Sequence, residues 1–246
     1  MWEQIVILFI IFLGSFIQGS SGFGFGLVCM GVISIFLSVE ESMLIVLALT
    51  AFLSSGILLK YRRYIIWKDI VPITISASIG RALAFVFVIY FGETEFIKII
   101  LALVLISMVV YLYKNRQLSE TSNTSNNYII SLCVGCIGGF IGGAFAIGGP
   151  LFVIYFLMRY EDKRSYTANL QLTFILLNLF TIVAHWINGD LTDSFYHYFI
   201  LGTVIVLIGV TLGLKIFDLL STKIIQNIAF TIITLAAINL IVMSLL

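Results

Sequence analysis

Long apolar stretches separated by short polar loops make up most of the chain. Six of these stretches have about 18 to 23 residues, enough for a helix to cross a hydrocarbon core of about 30 Å. They cover residues 42–59, 69–91, 96–113, 166–187, 194–214 and 224–245. The pattern predicts an all-α polytopic membrane protein.

Two further apolar stretches, 3–39 and 128–158, are longer, with 37 and 31 residues. As straight helices they would measure about 55 Å and 46 Å, more than one crossing requires. Each is interrupted near its middle, by QGSSGFGFG at 18–26 and by IGGAFAIGGP at 141–150. Each stretch is therefore either one long kinked crossing or a helical hairpin that turns near the bilayer midplane.

The charges of the loops favour the hairpins. Basic loops occupy 60–68, 114–117, 159–164 and 215–223, and acidic loops occupy 39–41, 92–95 and 188–193. Cytoplasmic loops are enriched in Lys and Arg. Two hairpins put all the basic loops inside and all the acidic loops outside, with both chain termini external. A full crossing at 128–158 would break this rule in the second half of the chain.

The two interrupted stretches also resemble each other. A shift of 124 residues aligns six identical residues within fourteen positions, among them Gly14 with Gly138 and Gly24 with Gly148. We therefore predict an N-terminal repeat at 1–113, a connecting loop at 114–127 and a C-terminal repeat at 128–246. Each repeat is a glycine-broken hairpin followed by three spans. Three spans is an odd number, and the equivalent loops reverse their charge, so the second repeat is expected to be inverted.

Composition removes several classes of function. Hydrophobic residues make up 61% of the chain and charged residues 10%, which excludes a water-soluble domain. With 13 basic and 12 acidic side chains there is no indication of nucleic-acid binding. No span pairs a nucleophile with a buried base, and no cluster of metal ligands or nucleotide motif is evident, so we expect neither an enzyme nor a cofactor.

The glycine breaks predict an anion site. A helix that begins at the midplane presents free N–H groups and partial positive charge, which attract anions. Arg81 lies deep in the span 69–91, where a charge must face protein or a cavity. Its guanidinium either binds the anion or clamps backbone carbonyls. The residues expected at the site are Gln18, Ser20, Ser21, Gly22, Gly24, Gly26, Arg81, Gly143, Gly148, Gly149 and Asn169.

For several other polar residues, a purely structural role is an alternative to a functional one. Asn169, Gln171, Thr173 and Asn178 follow one span and either line a cavity or hydrogen-bond neighbouring helices. His185 and His197 lie near the predicted external boundary, where we expect them to be solvated. Proton coupling is the alternative role for these histidines.

The motifs GSFIQGSSGFGFG at 14–26 and GGFIGGAFAIGGP at 138–150, with the continuation LFVIYFLMRYEDKRSYTANLQLTF, resemble the sulfite exporter TauE/SafE family of membrane permeases. The resemblance covers essentially the whole chain and implies transport of sulfur-containing anions such as sulfite, sulfonates or sulfoacetate. Two departures affect the expected site. Met30 and Gly31 stand where the family often has a proline, and Thr167–Asn169 stands where an Arg-Ala-Thr run is common.

The expected function is therefore a secondary transporter of small anions in the cytoplasmic membrane, working by alternating access around a midplane site. An anion-selective channel and a transporter of a small non-sulfur carboxylate are the alternatives. The expected partners are the anion, the lipid bilayer, a coupling ion (H⁺ or Na⁺) and a second copy of the chain.

Overall fold

The computed structural model describes residues 2–92, 94–114 and 128–216, together with residues 231, 234, 237–239 and 242. Residues 115–127 of the predicted connecting loop and most of the predicted span 224–245 lie outside the described residues. In the described part, every regular element is a helix. They are α1 (Trp2–Ser21), α2 (Phe25–Ile33), α3 (Val39–Tyr61), a 3₁₀ turn (Arg62–Tyr64), α4 (Trp67–Phe91), α5 (Glu95–Lys114), α6 (Tyr128–Phe145), α7 (Gly149–Arg159), α8 (Lys163–Asn188) and α9 (Asp193–Ile216).

Several of these helices suit a bilayer. In length and apolar composition, α1, α3, α4, α8 and α9 are able to cross a membrane. The apolar parts of α5, α6 and α7 are shorter. Together these helices support a multi-pass membrane protein, as the apolar pattern predicted.

Both interrupted stretches fold back on themselves. Cys29 of α2 lies against the Ile10 carbonyl of α1, which precedes it by nineteen residues. In the second stretch, the Tyr155 hydroxyl of α7 lies 2.7 Å from Ser131 Oγ near the start of α6. The short second helix of each stretch therefore returns along the first, as a hairpin requires.

The unwound segments are shorter than the glycine motifs suggested. In the first stretch the chain leaves the helix only after Ser21 and re-enters it at Phe25. Gln18 and Ser20 lie in the last turns of α1, because the Gly22 N–H still donates to the Gln18 carbonyl at 2.7 Å. Gly143 likewise lies within α6. Unpaired backbone groups are costly in an apolar environment, which explains why α1 and α6 extend into the glycine motifs.

The helices pack in pairs, α1 against α9, α4 against α6 and α3 against α8. Glycines bring the first two pairs close together. A Cβ atom at Gly80 of α4 would lie 2.1 Å from the Cys136 carbonyl of α6. One at Gly213 of α9 would lie 2.3 Å from the Phe16 carbonyl of α1.

The loops 60–68 and 159–164 meet at one end of the bundle, which we name the basic end. Arg159 of α7 pairs with Asp69 of α4, and Arg164 Nη1 donates to the Tyr64 hydroxyl at 2.8 Å. Asp162 caps the start of α8, and hydrogen bonds from the Ser165 side chain and backbone hold the pKa of that carboxyl below its usual value.

The start of α3 and the end of α8 form the opposite, acidic end, where Thr192 Oγ1 donates to Glu41 Oε1 at 2.7 Å. The crossing alternative for 128–158 requires the loops 60–68 and 159–164 to lie at opposite ends. Their direct contact agrees with the hairpin alternative.

Single cysteines introduced at Glu161 and Asn188 are expected to react with a membrane-impermeant maleimide from opposite sides of the membrane. A cysteine at Arg63 should react from the same side as the one at position 161, because both loops lie at the basic end. The measurement is labelling of intact and of permeabilised cells in a background without native cysteines. Labelling of positions 161 and 63 from opposite sides would contradict the hairpin at 128–158.

Candidate functional site

A small cavity lies where the two hairpin breaks meet. Its volume is about 40 Å³, large enough to admit water. The lining comes from both breaks and from α3, α4 and α8. The lining residues are Gln18, Phe23, Gly24, Gly26, Leu27, Thr50, Arg81, Gly142, Ala146, Ile147, Gly148, Gly149, Pro150, Phe152, Phe174 and Asn178.

The backbone of both breaks adopts left-handed conformations. Gly22 and Gly24 have φ angles of 84° and 109°, and Ala146 has a φ of 57°. A residue with a Cβ atom at such an angle costs about 1–2 kcal/mol, so the surrounding contacts must hold Ala146 in place. One of them is Gly26 of the first hairpin, where a Cβ atom would lie 2.2 Å from the Ala146 carbonyl oxygen. The two breaks are therefore in direct contact.

Arg81 reaches the cavity from α4 with 3% of its surface exposed. Its two terminal nitrogens donate to Thr181 Oγ1 and Asn178 Oδ1 of α8, each at 2.9 Å. Among the residues that the structure describes, no carboxylate pairs with this guanidinium, and its Nε has no hydrogen-bond partner. A buried cation without a counter-charge is costly, and an anion in the cavity would remove that cost.

Gln18 supplies a second unused donor. Its Oε1 accepts a hydrogen bond from the Phe25 N–H at 3.2 Å, which caps the first turn of α2. Its Nε2 is buried and has no partner within the described part of the chain. The carbonyl oxygen of this cavity-lining side chain is therefore used by the backbone, and its N–H₂ group is the donor left over.

The site is therefore electropositive with largely apolar walls. Phe23, Phe152 and Phe174 line it, while α2 begins beside it with the positive end of its dipole. The start of α7 contributes fewer donors than the sequence suggested. Pro150 has no N–H, and the Leu151 N–H donates to the Gly148 carbonyl at 3.3 Å.

The family described as "Sulfite exporter TauE/SafE" matches residues 7–240, almost the whole chain. The chain belongs to this family. No curated protein and no solved structure gives a significant match. Members of the TauE/SafE family are transporters and not enzymes, so membership implies a membrane transporter of sulfur anions such as sulfite.

The structure brings together about half of the residues that the sequence assigned to the anion site. Those that line the cavity are Gln18, Gly24, Gly26, Arg81, Gly148 and Gly149. Gly143 lies just behind it, since a Cβ atom there would be 3.0 Å from Arg81 Cδ.

The remaining expected residues lie elsewhere. Ser20 Oγ donates to the Ile17 carbonyl at 2.9 Å, and the Gly22 carbonyl accepts from Gln171 Nε2 at 3.1 Å. The side chain of Ser21 lies outside the described residues. Asn169 bonds the backbone at the basic end, where its Oδ1 accepts from the Ile66 N–H at 2.8 Å.

Two polar residues of the cavity were missed as site residues. Thr50 of α3 lines the cavity, although its hydroxyl also donates to the Val46 carbonyl at 2.6 Å. Asn178 lines the cavity and holds Arg81. A polar side chain midway along an apolar span is the sequence feature that could have identified them. Asn178 lies near the middle of α8, whereas Asn169 lies near its start.

Proposed function

We propose that this protein is a secondary transporter of a small sulfur-containing anion, of the sulfite, sulfonate or sulfoacetate type. The anion binds in the cavity between the two hairpin breaks, and the protein exposes that cavity to each side of the membrane in turn. An ion gradient or the substrate gradient drives the exchange.

The unpaired charge of Arg81 carries this proposal. A buried guanidinium with no carboxylate partner in the described residues lines the same cavity as Gln18, whose Nε2 is unused, and this combination favours an anion. The two donors belong to different groups of packed helices, since Gln18 is on α1, which packs against α9, and Arg81 is on α4, which packs against α6. A bound anion would therefore hold the two groups together.

The helix contacts support two related halves. If α1, α2, α3 and α4 are exchanged with α6, α7, α8 and α9, the contacts of α1 with α9 and of α2 with α3 become those of α6 with α4 and of α7 with α8. The contact of α3 with α8 maps onto itself. Such symmetry is expected of inverted repeats, which rock against each other around a midplane site.

The orientation follows from the charges. We infer that the basic end faces the cytoplasm, because Lys and Arg concentrate on that side. Gln4, near the start of α1, lies 2.9 Å from His197 of α9, close to Asp193 at the acidic end. The amino terminus is then external.

Gln18→Glu is expected to reduce anion uptake into proteoliposomes strongly, because it puts a carboxylate beside the cavity. Uptake should be screened with sulfite, thiosulfate, methanesulfonate, sulfoacetate and acetate. The matched control is Gln4→Glu, the same substitution at the other end of α1, which should leave uptake unchanged.

The same assay also tests alternating access. Unlabelled anion inside the vesicles should accelerate uptake of labelled anion. Uptake that neither saturates nor responds to internal anion would indicate a channel, and uptake of acetate alone would refute a sulfur substrate.

A further inference from the structure

A second buried cluster of titratable side chains lies at the acidic end. His185, in the last turn of α8, has none of its surface exposed. Its Nδ1 lies 2.6 Å from Asp190 Oδ2 in the loop after α8 and 3.5 Å from Glu40 Oε1 in the first turn of α3. None of these residues lines the cavity. The expectation that His185 is solvated was therefore wrong, because the start of α3 and the loop after α8 cover it.

Two carboxylates converge on one ring nitrogen in this cluster. The ligand atoms of Glu40, Asp190 and His185 lie within 4.8 Å of one another. Two negative charges this close repel each other, and a positive charge between them removes the repulsion. The 2.6 Å separation is that of a short hydrogen bond in which a proton lies between Nδ1 and Oδ2. Imidazole ordinarily gains or loses its charge between about pH 5 and 8. A proton is therefore the cation that this geometry accommodates.

The groups that face the ring come from three directions. Glu40 faces it from α3, Asp190 from the loop, and the ring of Phe85 on α4 meets it edge-on with centroids 4.8 Å apart. Asn188 Nδ2 donates to the second oxygen of Asp190 at 2.8 Å. Glu40 and Asp190 are thus the charged groups against His185 in the described structure, where its Nε2 has no hydrogen-bond partner.

The cluster is joined to the anion site along two helices. Thr181 and His185 are four residues apart on α8, about 6 Å along the helix axis and on one face. Arg81 and Phe85 have the same spacing on α4. The Arg81 guanidinium donates to Thr181. One turn further along both helices, the ring of Phe85 packs on His185. His185 is thus in direct contact with α4, the helix that carries Arg81.

We propose that His185, Glu40 and Asp190 form a proton-binding site, and that a proton bound there strengthens anion binding beside Arg81. The proton passes from water at the acidic end to the imidazole, which reduces the cluster from two negative charges to one. That added positive charge favours an anion in the cavity, whose lining residue Asn178 lies seven residues before His185 on α8. It also relieves the repulsion between Glu40 at the start of α3 and Asp190 after α8. The coupling rests on the proposed transport function, whereas the proton site does not.

Magnetic resonance of isotope-labelled histidine tests both parts in the full-length protein. The chain has two histidines, so a His197→Gln background leaves the signal of His185 alone. We expect the signal of the protonated ring to be weaker in Glu40→Gln and in Asp190→Asn than in the parent at the same pH, because each variant keeps the side-chain shape and removes one of the two carboxylates that face Nδ1. Sulfite should increase the protonated fraction under conditions where it is incomplete. Arg81→Gln should abolish that increase.

The outcomes separate the two parts. A His185 signal that is the same in the parent and both carboxylate variants refutes the proton site. Sulfite that binds without changing the His185 signal refutes the coupling but leaves the transport function standing. If no sulfite binds while the carboxylate variants still change the signal, the transport proposal for sulfite fails, the coupling fails with it, and the proton site stands.

Discussion

Arg81→Gln is expected to weaken anion binding by about 10- to 100-fold, because a hydrogen bond to a charged group contributes about 1.5–3 kcal/mol. The stability of the ligand-free protein should change little. The substitution removes two hydrogen bonds to α8, but it also removes a buried cation that has no carboxylate partner in the described residues. These two effects oppose each other.

The measurements are calorimetric titration with sulfite and thermal unfolding of the purified protein in detergent. Arg164→Gln is the matched control, since that arginine is exposed at the basic end and donates to Tyr64. It should bind sulfite like the parent. If Arg81→Gln bound sulfite normally but unfolded at a much lower temperature, Arg81 would be a structural clamp between α4 and α8.

The sequence was sufficient for features that depend on local pattern. The helices break at 22–24 and at 146–148, inside the glycine-rich motifs quoted for the two stretches. The charges of the loops favoured the hairpin alternative, and the contact between the loops 60–68 and 159–164 agrees with it. Such features can be predicted from the length of an apolar stretch and the sign of the charge on a loop.

The partners of the polar side chains could not be predicted in the same way. Asn169 and Asn178 are nine residues apart on α8, which is about 13 Å along the axis and half a turn around it. One therefore bonds the backbone at the basic end and the other holds Arg81. Arg81 meets its two acceptors about a hundred residues further along the chain, a proximity that no local pattern contains.

Gly148→Ala is expected to abolish uptake and to destabilise the protein by about 1–3 kcal/mol, the usual cost of overpacking. The new Cβ atom would lie 2.2 Å from the Gly138 carbonyl oxygen and 2.8 Å from the Gly142 N. Both neighbours are backbone atoms of α6, so no side-chain rotation can relieve the clash. The second hairpin would have to open at the point where it contacts the first one. Uptake into proteoliposomes and the thermal unfolding midpoint measure the two effects.

Gly149→Ala separates this effect from simple filling of the cavity. Both glycines line the cavity, but a Cβ atom at Gly149 would approach nothing nearer than Phe174, at 3.5 Å. That is ordinary van der Waals contact, so Gly149→Ala should unfold like the parent and retain uptake. Equal loss of uptake in the two variants, with both as stable as the parent, would mean that the lost volume of the cavity matters and the close approach of α6 and α7 does not. Normal uptake by Gly148→Ala would remove the second break from the transport site.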